Sequence, residues 1–200
     1  MFKLIKDVEK LRQKSEDVAS VDEAKDIIGH LIESLGRFNN GVGLSAIQIG
    51  FAKRVAVIKE EDSFHAIINP KILLAEDKFT SLSEGCLSFE GKFHDVPRYR
   101  HFIIRNNVID GDNFRFQDEY YFYDLDKDSW SSGVTAIAVQ HEIDHFDGKL
   151  IIDHPKVSER SPIRSNKVGR NDPCPCGENN ADGKTLKFKK CSKPEGCPYR

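Results

Sequence analysis

The pattern of apolar and polar positions predicts a long amphipathic helix near the start of the chain. Ser20-Val21-Asp22-Glu23 precedes it, and a serine followed three positions later by a glutamate is typical of a helix N-terminus. The apolar residues that follow recur three or four positions apart, the spacing of one helix face. They are Ala24, Ile27, Ile28, Leu31, Ile32, Leu35 and Phe38. A glycine-rich segment beginning at Gly41 then ends the helix.

Short apolar runs rich in β-branched and aromatic residues predict strands in the middle of the chain. The runs are Val55–Ile58, Ala66–Ile68, Ile72–Leu74, Phe102–Ile104 and Tyr120–Tyr123. Turn-forming residues separate them, among them the segment Asp110–Asn113. A block of strands with helices before and after it indicates an α+β fold with mostly antiparallel sheets.

A second predicted helix carries two histidines. Ser131-Ser132-Gly133 can cap it, and the residues that follow share one face. These are Val134, Ile137, Ala138, His141 and His145. Imidazoles four positions apart can bind one cation, and Glu142 of this H-E-x-x-H motif points about 100° away around the helix axis, where a general base is needed. A solvated, charged face is the alternative, which the apolar stripe disfavours because unpaired buried polar groups are costly.

The third metal ligand is not supplied by the same helix. Zinc peptidases of one class extend the motif to H-E-x-x-H-x-x-G-x-x-H; Gly148 matches this pattern, but Ile151 stands where the last histidine belongs. Cys86, in the segment Glu84–Ser88, is the only cysteine among the first 170 residues. A lone cysteine is more often a small buried apolar residue than a ligand. From the residues alone, both interpretations of Cys86 stay open.

Three segments taken together resemble the peptide deformylases. The signature motifs of that family read G-x-G-L-A-A-x-Q, E-G-C-L-S and Q-H-E-x-D-H. The chain has them in this order as Gly41–Gln48, Glu84–Ser88 and Gln140–His145. Ser45, where the family usually has alanine, is the one departure among the fixed letters. The resemblance extends from about residue 3 to residue 155.

The resemblance implies a role for each matching residue. The implied metal ligands are Cys86, His141 and His145. The implied catalytic groups are Glu142 as acid and base, with the Gln48 side chain and the Leu87 backbone N–H polarising the substrate carbonyl. The residues implied to bind the substrate are Val42, Gly43, Leu44, Arg98 and Ile137, with Arg98 near the exit path of the peptide. The implied reaction removes the N-formyl group from the N-terminal methionine of nascent polypeptides. We expect the antiparallel sheets to surround a central metal-binding helix, the one that carries the two histidines.

The implied cofactor is Fe²⁺, with Zn²⁺ or Ni²⁺ able to substitute. One thiolate and two neutral imidazoles accept zinc, iron, cobalt or nickel, so the ligand set does not choose among them. A bound divalent ion lowers the pKa of water from about 15.7 towards roughly 7. Neutral donors can then stabilise the charge that develops on the formyl oxygen.

Composition and charge indicate a soluble cytoplasmic protein. The formal net charge of −2 provides no general attraction to nucleic acid or to membranes. No apolar run is long enough for a secretion signal or a membrane span. A chain of 200 residues can hold one domain and a small appendage, and we predict a catalytic domain over residues 1–155.

The C-terminal sequence predicts a polar linker over residues 156–168 and a zinc-binding tail over 169–200. Gly169–Gly177 resembles the opening of the SEC-C module, a small zinc-binding tail appended to many proteins. Four of the five cysteines lie in this tail, and in a reducing compartment they favour a metal site over disulfides. The predicted zinc ligands are Cys174, Cys176, Cys191 and Cys197, with Cys197 filling the place that Ser192 leaves.

The tail also has a basic surplus. Residues 165–200 contain eight Lys or Arg against four Asp or Glu. This surplus is consistent either with a solvated face or with docking on an acidic partner, the ribosome or a chaperone.

Two other functions remain open from the sequence. A metallopeptidase that cuts ordinary amide bonds is disfavoured by Ile151 and by the motifs around Gln48 and Cys86. A non-catalytic metal-binding interaction protein is suggested by Ser45 alone, and the presence of both Glu142 and Gln48 disfavours it.

Overall fold

The computed structural model describes residues 2–60, 63–123 and 130–154, with the backbone alone for residues 130–132. These residues fall within one compact unit, Met1–Val157. The predicted linker and tail, including Cys174, Cys176, Cys191 and Cys197, lie outside the described residues. Among the described residues, no helix combines the length and the apolar sequence that a membrane span requires.

The described chain forms three α-helices and six strands. The helices are α1 (Val8–Leu11), α2 (Val21–Leu35) and α3 (Trp130–Phe146). The strands are β1 (Gly43–Ser45), β2 (Val55–Glu60), β3 (Ser63–Ile68), β4 (Lys71–Gly85), β5 (Phe93–Asp110) and β6 (Asn113–Phe122). They form two three-stranded sheets, β1-β2-β3 and β4-β5-β6, in which every pair of neighbours is antiparallel. The predicted α+β fold with antiparallel sheets is confirmed.

Strand β2 is buried on both faces, which explains its uninterrupted apolar sequence. Val55 and Val57 pack into a core that α2 covers. Ala56 and Ile58 point the other way, into a second core formed with α3 and with Phe102 of β5. Because successive strand residues alternate between faces, the first sheet lies between α2 and α3, and α3 also contacts the second sheet.

Several predicted boundaries differ from the structure. Helix α2 ends at Leu35, so Phe38 lies beyond it. The Ser20 hydroxyl accepts from the Glu23 N–H as expected, but the Glu23 carboxylate accepts from the N–H of Ala19 rather than that of Ser20. The predicted cap at residues 131–133 is wrong, since these residues lie inside α3. Gly133 is instead a packing position, because a Cβ there would lie 3.3 Å from the Tyr123 ring.

Strands β4 and β5 are much longer than their predicted apolar segments, with 15 and 18 residues. Much of β4 is exposed, and the polar run Glu76–Lys78 in its middle interrupts the alternation of apolar and polar residues that predicts a strand. The extra length is important for the site, since it places Glu84 and Gly85 at the end of β4 and Arg98 within β5. The predicted turn at 110–113 is confirmed as the link between β5 and β6, with Gly111 at a φ of 61°.

Side chains of the second sheet form hydrogen bonds with backbone groups at the edge of the first sheet. Asn106 of β5 accepts from the Ile68 N–H at 2.7 Å and donates to the Ala66 carbonyl at 2.9 Å. It also donates to Glu119 of β6, whose other carboxylate oxygen lies 2.9 Å from His65 Nε2. These bonds pair backbone groups that the edge strand β3 would otherwise leave open, and they join the two sheets.

The N-terminal segment is bonded to the end of α3 and to the 3₁₀ turn Ile151–Asp153 that follows it. Arg12 forms two hydrogen bonds to the Asp153 carboxylate, and the Ser15 N–H donates to the Phe146 carbonyl at 2.9 Å. Gly148 has a φ of 70°, and a Cβ there would collide with the Arg12 backbone, coming within 3.2 Å of its Cα. Gly148 therefore ends the helix and admits this close approach.

We expect Gly148→Ala to destabilise the fold by about 3 kcal/mol or more, because left-handed strain and overpacking add. Gly111→Ala is the matched control, since Gly111 has a similar φ but no atom within 4 Å of the added Cβ. Its cost should be about 1 kcal/mol. Urea unfolding of both variants measures the difference, and equal costs would rule out the packing argument.

The contact between His65 and Glu119 should make stability depend on pH. Its hydrogen bond to Glu119 raises the pKa of His65. Burial disfavours the Glu119 carboxylate, yet hydrogen bonds with His65, Tyr121 and Asn106 lower its pKa. The histidine therefore contributes stability that is complete below its unfolded pKa and is lost as the pH rises through its folded pKa. The glutamate contribution is lost only at acidic pH.

We expect His65→Gln to cost roughly 1.5 kcal/mol at pH 5.5, the loss of a charge-assisted hydrogen bond, and distinctly less at pH 9. Unfolding in urea at the two pH values measures this. His101→Gln, the same substitution at an exposed histidine of β5, is the matched control. A cost for His65→Gln that is the same at both pH values would contradict the linkage.

Candidate active site

Cys86, His141 and His145 converge on one point. Cys86 follows directly after β4, whereas the two histidines lie one turn apart on α3. Their ligand atoms all lie within 4.8 Å of one another, and Cys86 Sγ is 3.4 Å from His145 Nε2. The structure therefore brings together the two parts of the predicted ligand set, which are more than 50 residues apart in sequence.

The Glu142 carboxylate lies beside this cluster and is 3 % exposed. Its Oε2 has no hydrogen-bond partner among the described residues. Burial raises the pKa of Glu142 to about 7. Gly43 of β1 makes room for this carboxylate, because a Cβ at residue 43 would lie 2.5 Å from Glu142 Oε1. A buried carboxylate of this pKa can both accept and return a proton near neutral pH.

The Gln48 amide is oriented by its neighbours. Its Oε1 accepts from the Ser45 N–H at 2.8 Å, which directs Nε2 towards Cys86 Sγ at 3.4 Å and Ser88 Oγ at 3.2 Å. The Ile5 N–H donates to the Gln48 carbonyl at 2.8 Å and holds its backbone. Ser45 contributes its backbone to this arrangement, while its hydroxyl has no partner among the described residues. A serine in place of alanine thus leaves the Gln48 orientation intact.

A cleft of about 640 Å³ opens above these groups. One wall comes from α3 and presents Val134, Ile137 and Ala138 beside His141 and Glu142. The other wall comes from the end of β4 and the residues after it, including Leu87, which begins a short 3₁₀ turn at Leu87–Phe89. Val42 and Gly43 line the cleft as well.

Two residues predicted to bind the substrate do not line the cleft. Leu44 follows Gly43 in β1, so it faces the opposite side, where it is fully buried in the core beneath α2. Arg98 is only 4 % exposed and points inward from β5. Its guanidinium bonds to both Glu84 oxygens, at 2.9 and 2.8 Å, and to Asp144 at 2.5 Å. Arg98 is therefore placed beneath the site rather than on a path out of it.

This ion-paired group supports one of the histidines. Glu84 Oε2 lies 3.4 Å from His141 Nδ1. Burial opposes its ionisation, yet hydrogen bonds from His141 and Arg98 lower the pKa of Glu84 to about 2. A charged Glu84 orients the His141 ring and leaves Nε2 for the cluster, as carboxylates beside metal-binding histidines commonly do. Glu84 and Asp144 lie inside the recognised motifs, but their letters alone did not disclose this role.

Gln140 is a further buried residue whose role the sequence did not reveal. Its Oε1 accepts from the Tyr99 N–H and its Nε2 donates to the Tyr99 carbonyl, both at 2.9 Å. The amide thus makes the two backbone hydrogen bonds with Tyr99 that a neighbouring strand would otherwise make, and it joins α3 to the second sheet. Tyr99 follows Arg98 in sequence, so these bonds help to hold the Arg98 guanidinium and its two carboxylate partners beneath the histidines.

The donor atoms of the cluster fit a divalent cation. Cys86, His141 and His145 offer one sulfur and two nitrogen donors, the donor types that zinc and iron accept. Burial and the positive charges of His141 and Arg98 lower the pKa of His145, which favours the neutral imidazole that a metal ligand requires. Burial disfavours a charged His141, but its hydrogen bonds to Cys86 and Glu84 raise its pKa well above the usual value, so these two groups favour a positive charge at this place.

The donor set, the adjacent carboxylate and the open cleft define a metal-dependent hydrolase. A model of the family described as polypeptide deformylase matches residues 3–161. The chain belongs to this family, as its sequence motifs predicted, and it is an enzyme of the kind that removes the N-formyl group from nascent chains.

Known relatives cover most of the chain. A peptide deformylase of Thermotoga neapolitana is 35 % identical over 155 residues, which are 77 % of this chain and 86 % of the relative. A crystal structure of a probable peptide deformylase from Synechococcus phage S-SSM7 superposes with a TM-score of 0.64 at 32 % identity, covering 78 % of this chain and 99 % of the other. The peptide deformylase from Thermotoga maritima superposes with a TM-score of 0.62 at 29 % identity, covering 77 % and 95 %.

We expect Gly43→Ala to lower kcat/KM for formyl-Met-Ala-Ser at least about 100-fold, because the added methyl displaces the Glu142 carboxylate by a distance to which catalysis is sensitive. Steady-state kinetics measures the loss, and thermal unfolding shows whether the variant is folded. Gly29→Ala, in α2 with no atom within 4 Å of the new Cβ, is the control. Near-wild-type kinetics for a folded Gly43→Ala protein would contradict the steric argument.

Proposed function

We propose that this site hydrolyses the formamide of N-formylmethionyl peptides, with Cys86, His141 and His145 as metal ligands and Glu142 as the catalytic acid and base. The observation that carries the proposal is the convergence of the three ligand atoms beside a buried carboxylate with an unpartnered oxygen. Three protein ligands leave a coordination position open, which is typical of a catalytic rather than a structural site.

Fe²⁺ is the proposed ion, with Zn²⁺ or Ni²⁺ as substitutes. The cation supplies Lewis acidity, which makes water a stronger nucleophile at neutral pH. The thiolate and the two imidazoles suit each of these metals. Glu84 and Arg98 support the proposal, since they orient His141 from behind.

Glu142 is proposed to move the proton in both halves of the reaction. It accepts a proton from the attacking water and then delivers it to the departing amine, so that the products are formate and a peptide with a free methionine amine. The pKa of about 7 that burial gives this carboxyl suits both transfers near neutral pH. Its position against Gly43 limits the conformations open to the side chain.

The Gln48 side chain and the Leu87 backbone N–H are proposed to stabilise the charge on the formyl oxygen. The Gln48 amide is already turned with Nε2 towards Cys86, and no reorientation is needed when charge develops. Leu87 is the first residue of its 3₁₀ turn, where N–H groups have no partner inside the helix. One such donor typically contributes about 3 kcal/mol to transition-state stabilisation.

Val42, Gly43 and Ile137 are proposed to form the pocket for the methionine side chain. All three line the cleft beside Glu142, and Val134 and Ala138 extend the same apolar wall from α3. An unbranched thioether side chain fits such a wall because it adapts its three rotatable bonds to irregular apolar surfaces.

Further proposals rest on the sequence alone. Zinc binding by the tail cysteines and docking of the basic tail on the ribosome or a chaperone concern residues outside the described part of the chain. A cytoplasmic location is proposed from the composition of the whole chain. They are independent of the catalytic proposal.

We expect Glu142→Gln to lower kcat for formyl-Met-Ala-Ser by about 10²-fold to 10⁴-fold, the contribution of general acid–base catalysis, with an unchanged metal content per chain. Kinetics under anaerobic conditions and elemental analysis measure the two quantities. Glu33→Gln, at an exposed glutamate of α2 that pairs with Arg37, is the control.

The substrate class is tested with acetyl-Met-Ala-Ser in the same assay. We expect hydrolysis of the formyl peptide only. Equal hydrolysis of both peptides, or full activity of Glu142→Gln, would contradict the proposed function.

A further inference from the structure

Strand β6 directs its large apolar side chains away from the core. In an antiparallel sheet with one solvated face, apolar residues normally point inward and polar residues outward. In β6 the inward position Glu119 instead bonds to the buried Asn106. The outward positions hold Phe116, Tyr120 and Phe122, which are 65 %, 62 % and 53 % exposed. This reversal is typical of a surface that contacts another molecule.

The exposed aromatic residues belong to an apolar ridge that crosses all three strands of the second sheet. Leu74 of β4 pairs with Ile103 of β5, and Ile103 pairs with Tyr120 of β6. Paired residues point to the same face. Phe102 and Ile104 point to the other face and pack against α3. We call the face that holds the ridge the outer face of the second sheet. Covering it removes apolar surface from water, which is favourable.

The charges in the two rows beside the ridge are balanced. On one side, Lys71 pairs with Arg105, and Arg105 pairs with Asp118. On the other side, Glu76 pairs with His101. These rows therefore hold two positive and two negative side chains, and a face without a positive surplus does not favour nucleic acid, whose binding depends on contacts with phosphates.

We infer that the outer face binds the outer face of a second copy of this chain, in a two-fold dimer. A two-fold axis along the ridge turns the second copy over and reverses its strands, so that the two ridges pack on each other. Lys71 then lies opposite Glu76 of the second copy, and Glu76 lies opposite its Lys71. Two-fold interfaces are self-complementary in this way, and packed sheets keep their strands nearly aligned. The inference does not depend on the proposed function.

The ion pair on the outer face suits burial in this dimer. Arg105 forms two hydrogen bonds to the Asp118 carboxylate, at 2.7 and 2.9 Å, so neither charge enters the interface unpaired. In the two-fold arrangement, the pair lies opposite His101 and Phe122 of the second copy, where a guanidinium can stack on an aromatic ring. Arginine and aromatic residues are enriched at protein interfaces.

The size of the outer face indicates a reversible dimer. The three strands measure roughly 15 Å across and, over residues 99–107 of β5, roughly 25 Å along the sheet. A face of this size is at the lower end of specific interfaces, which are commonly weak and transient. We therefore expect a Kd in the micromolar range.

Sedimentation velocity of the full-length protein at increasing concentration measures this Kd. Tyr120→Glu places like charges against each other across the axis, so the Kd should rise at least about 100-fold. Gln117→Glu adds the same charge to an exposed position on the other face of β6 and should change the Kd by no more than about twofold. Thermal unfolding shows whether each variant is folded.

Exchange of two charges tests the two-fold arrangement independently of apolar contact. Lys71→Glu and Glu76→Lys should each raise the Kd roughly tenfold, because each replaces two symmetric ion pairs by repulsion. The double variant K71E/E76K should return the Kd to within about twofold of wild type, since the pairs are re-formed with the charges exchanged.

A protein that stays monomeric at every concentration would overturn the inference, including one whose outer face binds single-stranded RNA or a different protein. A dimer that persists unchanged in Tyr120→Glu would overturn it as well. The same holds for a double variant that dimerises no better than the two single variants.

Discussion

The site depends on the buried guanidinium of Arg98. It binds Glu84 at the end of β4 and Asp144 on α3, so one side chain joins the two segments that carry Cys86 and the histidines. A buried charge is tolerated only where partners satisfy it, and here each partner lies within three residues of a proposed ligand. The ligand geometry and the packing of α3 against the second sheet are therefore parts of one arrangement.

The rest of the site is shaped by close approach of backbone and side chain. Gly43 lets β1 pass directly beside Glu142, and the Ser45 N–H sets the direction of the Gln48 amide. Both residues belong to a strand that is buried between helices, where close packing restricts movement. Groups held in this way need little reorganisation when charge develops in the proposed reaction.

The two walls of the cleft have different origins. The α3 wall is a helical stripe on which Val134, Ile137 and Ala138 precede His141 on the same face. The opposite wall follows the bulged end of β4, where Leu82 is directed outward.

The sequence by itself determined the features that depend on local spacing or on a complete motif. The helical interval between His141 and His145, the apolar run of β2 and the glycine turn before β6 are all readable from neighbouring residues, and the three motifs together identified the family. The residues around Cys86 did not decide whether it is a buried apolar residue or a metal ligand, since a lone cysteine has no local signature of metal binding.

Only the tertiary structure decided which way side chains point and what they meet. Leu44 and Arg98 were expected at the substrate, yet strand alternation turns Leu44 into the core and Arg98 towards two carboxylates. The roles of Gly43 and Glu84 likewise depend on partners distant in sequence. These side-chain positions could not be predicted for one physical reason. The register and the packing between separate segments are set by the whole fold, and no local pattern encodes them.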